Sequence, residues 1–143
     1  MYRPTPLSER RGGAGGMNVT ESALWFTVED LAASVRFFTS HLRFREAVVG
    51  DGFTCLTRDD AAVDIVLQQR DAGRPPRPSA GRPGVIVSFT VTGIVAEHER
   101  LRREDAPITT PLREAPWGEW QLRLTDPNGI VVQLVEWVPP AGF

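Results

Sequence analysis

The order of elements along the 143 residues predicts an α+β fold made from two copies of one unit, a strand, a helix and three strands. Three observations carry this. The runs before residue 70 recur in the same order after residue 84. Residues 70 to 84 between them hold four prolines and three glycines, a composition that neither a helix nor a central strand survives. Each long strand, finally, has one clean apolar face at a period of two.

The first sixteen residues contain Pro4, Pro6 and the run Gly12 to Gly16, with no apolar periodicity, so residues 1–20 are expected to be a flexible extension, with Met17 a candidate functional start. Ala23 to Val28 predicts a strand. Asp30 follows as a helix N-cap, and Leu31, Val35, Phe38 and Leu42 form one stripe of a helix over 31–42. Strand-like runs follow at Phe44–Val49, Phe53–Arg58 and Val63–Gln68, closing a first module over 21–69. After the linker 70–84 come strand Val85–Val91, helix Ile94–Asp105, and strands Ile108–Arg113, Glu119–Thr125 and Ile130–Trp137, a second module over 85–138, with 139–143 as a tail. The turn Asp126-Pro127-Asn128-Gly129 launches the last strand: Pro127 fixes φ, and Asn128 and Gly129 tolerate positive φ.

Strand parity divides the residues into two sets. Leu24, Phe26 and Val28; Val63, Ile65 and Leu67; Val85, Val87, Phe89 and Val91; and Ile130, Val132 and Leu134 should pack under the helices. The opposite faces carry Ala23, Trp25 and Thr27; Asp64, Val66 and Gln68; Ile86, Ser88 and Thr90; and Val131, Gln133 and Val135. That mixture holds less charge than a solvated face and suits the lining of a ligand cavity.

Composition sets bounds. With 41% hydrophobic and 24% charged residues the chain can bury one sizeable core. All sixteen basic residues are arginine, and without residues 1–16 the balance is 13 basic to 17 acidic, which disfavours binding to nucleic acid. No apolar run approaches the roughly 20 residues of a membrane helix, and no signal segment opens the chain, so a cytoplasmic protein without membrane partners is expected. Cys55 is the lone cysteine, which excludes an internal disulfide, and no Cys/His pair has zinc spacing.

The segment Phe26-Thr27-Val28-Glu29-Asp30-Leu31-Ala32-Ala33-Ser34-Val35-Arg36-Phe37-Phe38, then Pro116-Trp117-Gly118 leading into a strand, then the Asp126 turn with its strand, resemble in order and spacing the vicinal oxygen chelate superfamily. That superfamily includes glyoxalase I, extradiol dioxygenases, fosfomycin-resistance enzymes and bleomycin-resistance proteins. The resemblance covers residues 22 to 137. It implies two βαβββ modules forming a U-shaped mixed sheet around a cavity, helices on the outer face, commonly in a homodimer.

Metal-dependent members take ligands from the first and last strands of each module, usually His, Gln or Glu. The resemblance places those positions here at Ala23, at about Ile86, at Gln133, and at a counterpart among Asp64, Val66 and Gln68. Ala23 and Ile86 cannot bind a metal, and a divalent Lewis acid needs about three suitable ligands. No cofactor is expected. His41 at the end of the first helix and His98 within the charged second helix read as structural or solvated, and Cys55 as an inert buried thiol.

The expected binding residues are Trp25, Thr27, Asp64, Gln68, Ser88, Trp117, Arg123 and Gln133. Trp25 offers a stacking surface on the cavity face, and Trp117 lies in a rim loop. Gln133 is an amide in an apolar strand that must find partners. Trp120 shares parity with Leu122 and Leu124 and reads as core. The run Glu97, Glu99, Arg100, Arg102, Arg103, Glu104 reads as a solvated helix face with i,i+3 and i,i+4 pairs and no function. The leading expectation is a metal-free protein that sequesters a small aromatic ligand, in the manner of the bleomycin-resistance branch, with a cationic aromatic molecule suiting the acidic body. The alternative is a lyase, isomerase or dioxygenase with an atypical metal site drawn from Asp64, Gln68, Glu119 and Gln133, or with Asp64 as a base. A third reading is a structural or regulatory dimer that has lost its ligand.

Overall fold

The computed structural model describes residues 17–73 and 84–138. The expectations for residues 1–16, for most of the linker and for the tail after Val138 lie outside them. Ten elements follow in two identical successions. The first module has β1 (Ala23–Val28), α1 (Leu31–Ser40), β2 (Arg45–Gly50), β3 (Phe53–Thr57) and β4 (Asp64–Gln69); the second has β5 (Ile86–Thr90), α2 (Ile94–Arg103), β6 (Ile108–Glu114), β7 (Glu119–Thr125) and β8 (Val131–Trp137). The mixed sheet is divided into two four-stranded sheets, ordered β1-β4-β3-β2 and β5-β8-β7-β6. In each, the first strand pairs parallel to the last and the other neighbours are antiparallel.

Local chemistry explains the boundaries. Asp30 caps α1, its carboxylate accepting from Ala33 N at 3.1 Å. In α2 the corresponding residue is Gly93, which adopts a left-handed φ of 70° and has no capping side chain. Its helix start is served from β8: the Glu136 carboxylate accepts from Gly93 N at 2.8 Å and Ile94 N at 3.0 Å. Gln69, at the end of β4, does the same for α1, accepting from Leu31 N at 3.1 Å. Each module's last strand thus holds the start of its own helix, a link that strand parity alone did not reveal.

The apolar faces merge into one core. Val28, Phe38, Leu56, Ile65 and Leu67 of the first module belong to the same buried cluster as Val87, Leu101, Leu122, Leu124, Val132 and Leu134 of the second. Phe37 and Phe38 pack edge to face, as do Phe38 and Phe44, and Phe44 meets Phe89 across the modules at 5.8 Å. Burial differs from parity at three places. Val85, expected inside, is 61% exposed because it precedes the paired part of β5, whereas Val66 and Val135, on the opposite faces, are buried.

The modules are joined by a polar knot. Asp126 is 3% exposed and its carboxylate accepts from Asn128 N at 2.9 Å, Ile130 N at 2.8 Å and the hydroxyl of Ser34, which is fully buried on α1. Asn128 completes it: its carbonyl accepts from Asp30 N at 3.0 Å, and its amide donates to Asp30 O and Ser34 Oγ, both at 2.7 Å. In this turn only Gly129 takes positive φ, at 90°; Asn128 does not.

A second link joins the helix ends. His41 Nδ1 lies 3.0 Å from Glu104, Arg43 bonds the same carboxylate at 2.8 Å, and Arg100 donates to His41 O at 3.1 Å. Arg100 and Glu97, expected as a solvated face, are therefore half-buried at the module boundary, although the i,i+3 and i,i+4 pairs are present. The His41 hydrogen bond, opposed by desolvation and reinforced by Arg100 and Arg43, holds the Glu104 carboxyl below the usual carboxylate range. A depressed carboxyl stabilises the fold above its unfolded pKa, so this contribution is lost as the pH falls through the lower folded value.

Asn128→Ala removes three cross-module hydrogen bonds and is expected to destabilise the protein by about 1–3 kcal/mol, read as a lower urea midpoint. Glu104→Gln should flatten the acid limb of the stability curve below about pH 4, measured by urea titration across pH.

Candidate functional site

Seven of the eight expected binding residues fall on the sheet faces turned away from the helices, and four of these, Trp25, Ser88, Gln133 and Arg123, define two rows; Trp117 lies in a turn. Trp25 and Ser88 each stand six residues before the start of their module's helix, so they are counterparts. Their partners on the last strands are Val66 and Gln133, which identifies Val66 as the first-module counterpart of Gln133. The rows extend through Cys55 to Val48 in the first sheet and to Arg123 and Thr110 in the second.

The two rows differ in kind. Trp25, Val66, Cys55 and Val48 form an apolar row in which the indole is 65% exposed and Val48 is 54% exposed. Ser88, Gln133 and Arg123 form a polar one: Arg123 Nε donates to Gln133 Oε1 at 2.9 Å, and Gln133 Nε2 to Ser88 Oγ at 3.4 Å. The Gln133 amide thereby finds the partners that its apolar strand demands. Thr27 pairs with Gln68 one step along the first sheet, both exposed, and Ala23 with Asp64, whose carboxylate accepts from Thr57 Oγ1 at 2.7 Å.

Trp117 occupies the β6–β7 turn and is 54% exposed. Gly118 makes that turn with a φ of 94°, and the Trp137 indole donates to Trp117 O at 3.3 Å, seating the turn against the end of β8. Trp120 packs on the core as its parity implied.

Of the four ligand positions that the resemblance implied, Ala23, Val66 and Ile86 carry no donor. Gln133 alone does, and it is engaged by Arg123 and Ser88. That set does not fit a divalent cation. Among the described residues no group of three or more His, Cys, Asp or Glu is placed to hold one. His41 is occupied with Glu104. Burial pushes the Cys55 thiol up from its ordinary value, and the Asp64 and Glu21 carboxylates add to the shift.

A model of the Glyoxalase/Bleomycin resistance protein/Dioxygenase superfamily matches residues 19–134. The chain belongs to this superfamily. Among solved structures, a glyoxylase/bleomycin resistance protein/dioxygenase domain from Frankia sp. EAN1pec is 29% identical, with a TM-score of 0.65 over 87% of this chain and 100% of its own. A glyoxalase/bleomycin resistance protein/dioxygenase from Nocardioides is 24% identical, with a TM-score of 0.69 over 90% and 89%. TioX from Micromonospora sp. ML1 shares the fold at 18% identity, with a TM-score of 0.62 over 84% and 100%. No curated protein matches the chain.

The superfamily fold explains the two rows, since the same step of each module is repeated with different side chains. The structure of this chain also holds what parity did not find. A cavity of about 650 Å3 lies between the modules on the helix side, and none of the eight expected residues lines it. The signal for it lay in unequal residues at equivalent positions of the repeat.

Because its thiolate is disfavoured, Cys55 should react slowly with a disulfide reagent at pH 7 and accelerate only above the ordinary thiol value of about 8.5. Spectrophotometric thiol titration across pH checks this.

Proposed function

We propose that this superfamily member is a metal-independent binding protein for a small aromatic molecule, held on the open sheet faces. The observation that carries this reading is the pairing of an apolar row bearing an exposed indole with a polar row at the equivalent step of the second module. Trp25, backed by Val66 and Cys55, offers a stacking surface. Arg123, whose guanidinium has Gln133 as its only side-chain partner among the described residues, together with Ser88 and Gln133, offers hydrogen bonds to a polar substituent. Asp64, Thr27, Gln68 and the turn carrying Trp117 supply further contacts, and the net-acidic body favours a cationic aromatic ligand such as an antibiotic. Sequestration would lower the free concentration of that ligand without chemistry. The absence of donors at three of the four implied ligand positions supports metal independence.

A homodimer belongs to the same proposal. An indole and a valine exposed in one row are surface that a second copy would cover, and a closed site would follow from two faces meeting.

Titration with a panel of planar aromatic antibiotics, followed by tryptophan fluorescence and melting temperature, should find saturable binding, and Trp25→Ala should weaken it by about tenfold or more. A panel that moves neither signal removes the reading. Exposure of the purified protein to iron, nickel, manganese and zinc is expected to leave the melting temperature unchanged; stoichiometric stabilisation by any of them would turn the assignment towards metal chemistry. Sedimentation velocity at micromolar concentration should give the mass of a dimer.

A further inference from the structure

The two modules are built alike but joined unequally. Where the β7–β8 turn meets α1, the knot of Asp30, Ser34, Asp126 and Asn128 closes the contact. The equivalent meeting is that of the β3–β4 turn with α2. There Gly93 stands for Asp30, Glu97 for Ser34 and Ala61 for Asn128, each at the same distance from its element's start. Asp59 stands for Asp126 and turns outward to Arg45, at 2.9 Å. Ala61 has no amide to reach the helix and Gly93 has no side chain to receive it. Arg100 stands for Phe37, so a guanidinium replaces an apolar plug that is only 3% exposed in the other half. The contact stays open, and the cavity of about 650 Å3 is this gap.

We propose that the gap is a second ligand site, one that takes a small aromatic carboxylic acid. Its volume falls within the range of small-molecule pockets, about 300–1,000 Å3. Its floor is apolar and aromatic, with Leu42, Phe44, Phe89 and Leu134, the two rings 5.8 Å apart and inclined by 51°. The wall carries Arg58, whose guanidinium is anchored by donation to Leu42 O at 2.7 Å. The rest of that guanidinium is taken by Asp60, two residues away, at 2.8 Å and 2.9 Å. Asp60 is 71% exposed, and an exposed local pair contributes little, so a ligand carboxylate can take its place in the same bidentate geometry. Arg100 is not available in this way, being held by Glu97, Glu104 and His41 O. The ring of the acid lies on Phe44 and Phe89, and its head group on Arg58.

The site shares no residue with the sheet-face rows, so the two readings fail separately. The probe is 2-naphthoate, titrated into the full chain by calorimetry, with amide NMR to locate it. Saturable binding is expected, with shifts concentrated at residues 42–44, 58–61 and 89–92. Arg58→Met should weaken it by about tenfold, as should replacement of the probe by uncharged 2-methylnaphthalene. Ala61→Phe, which fills the gap, should abolish binding. Should Ala61→Phe fail to melt cooperatively, Arg58→Met and the uncharged probe decide. Absence of saturable binding up to millimolar 2-naphthoate overturns the proposal. So does undiminished binding to Arg58→Met, or a set of shifts confined to the sheet-face residues Trp25, Val66, Arg123 and Gln133.

Discussion

The Asp126 carboxylate accepts two backbone N–H groups of its own turn and the hydroxyl of Ser34 from α1, in a place with almost no access to water. A buried carboxylate left without those donors would carry a large desolvation cost, so turn and helix are fixed together. Asn128 adds the backbone of Asp30 to the same cluster. Because Asp30 also caps α1, and Gln69 holds the next residue from β4, one polar contact sets the start of α1, the end of β4 and the entry to β8. The merged apolar core and the bonds of His41 and Arg43 to Glu104 complete the join between the modules.

The repeated unit is conservative in backbone and free in side chains. The same step of the first and last strands holds Trp25 and Val66 in one module and Ser88 and Gln133 in the other. The same helix position holds Ser34 in one and Glu97 in the other. One such difference divides the sheet faces into an apolar and a polar row; the other leaves one intermodular contact sealed and its counterpart open. Both follow from a duplicated scaffold whose halves have separate side chains to spend, and superfamily membership by itself would decide neither, since fold does not fix function.

Much of the fold was legible in the chain. The strands, both helices, the cap at Asp30 and the sets of alternating residues came from periodicity and turn chemistry, which are local, and the element boundaries agree within two residues or so. The candidate rows were legible only as separate strands. Parity said that Trp25 and Gln133 leave the core; strand register was needed to show that Gln133 lies between Ser88 and Arg123 and that its counterpart is Val66. Glu97 and Arg100 read as an ordinary charged helix face because i,i+3 pairing looks the same whether the helix faces water or another module.

The sequence by itself determined the two-module order, the family, and the lack of metal donors at Ala23 and Ile86, because these depend on residue type and spacing along one strand or turn. Only the tertiary structure decided that Ser34 and Asn128 join the modules, that Glu136 and Gln69 hold the helix starts, and that a cavity opens beside Ala61. Those contacts link residues up to 98 apart in the chain. Their geometry is set by how two separately formed sheets pack over one core, a matter on which no local pattern bears.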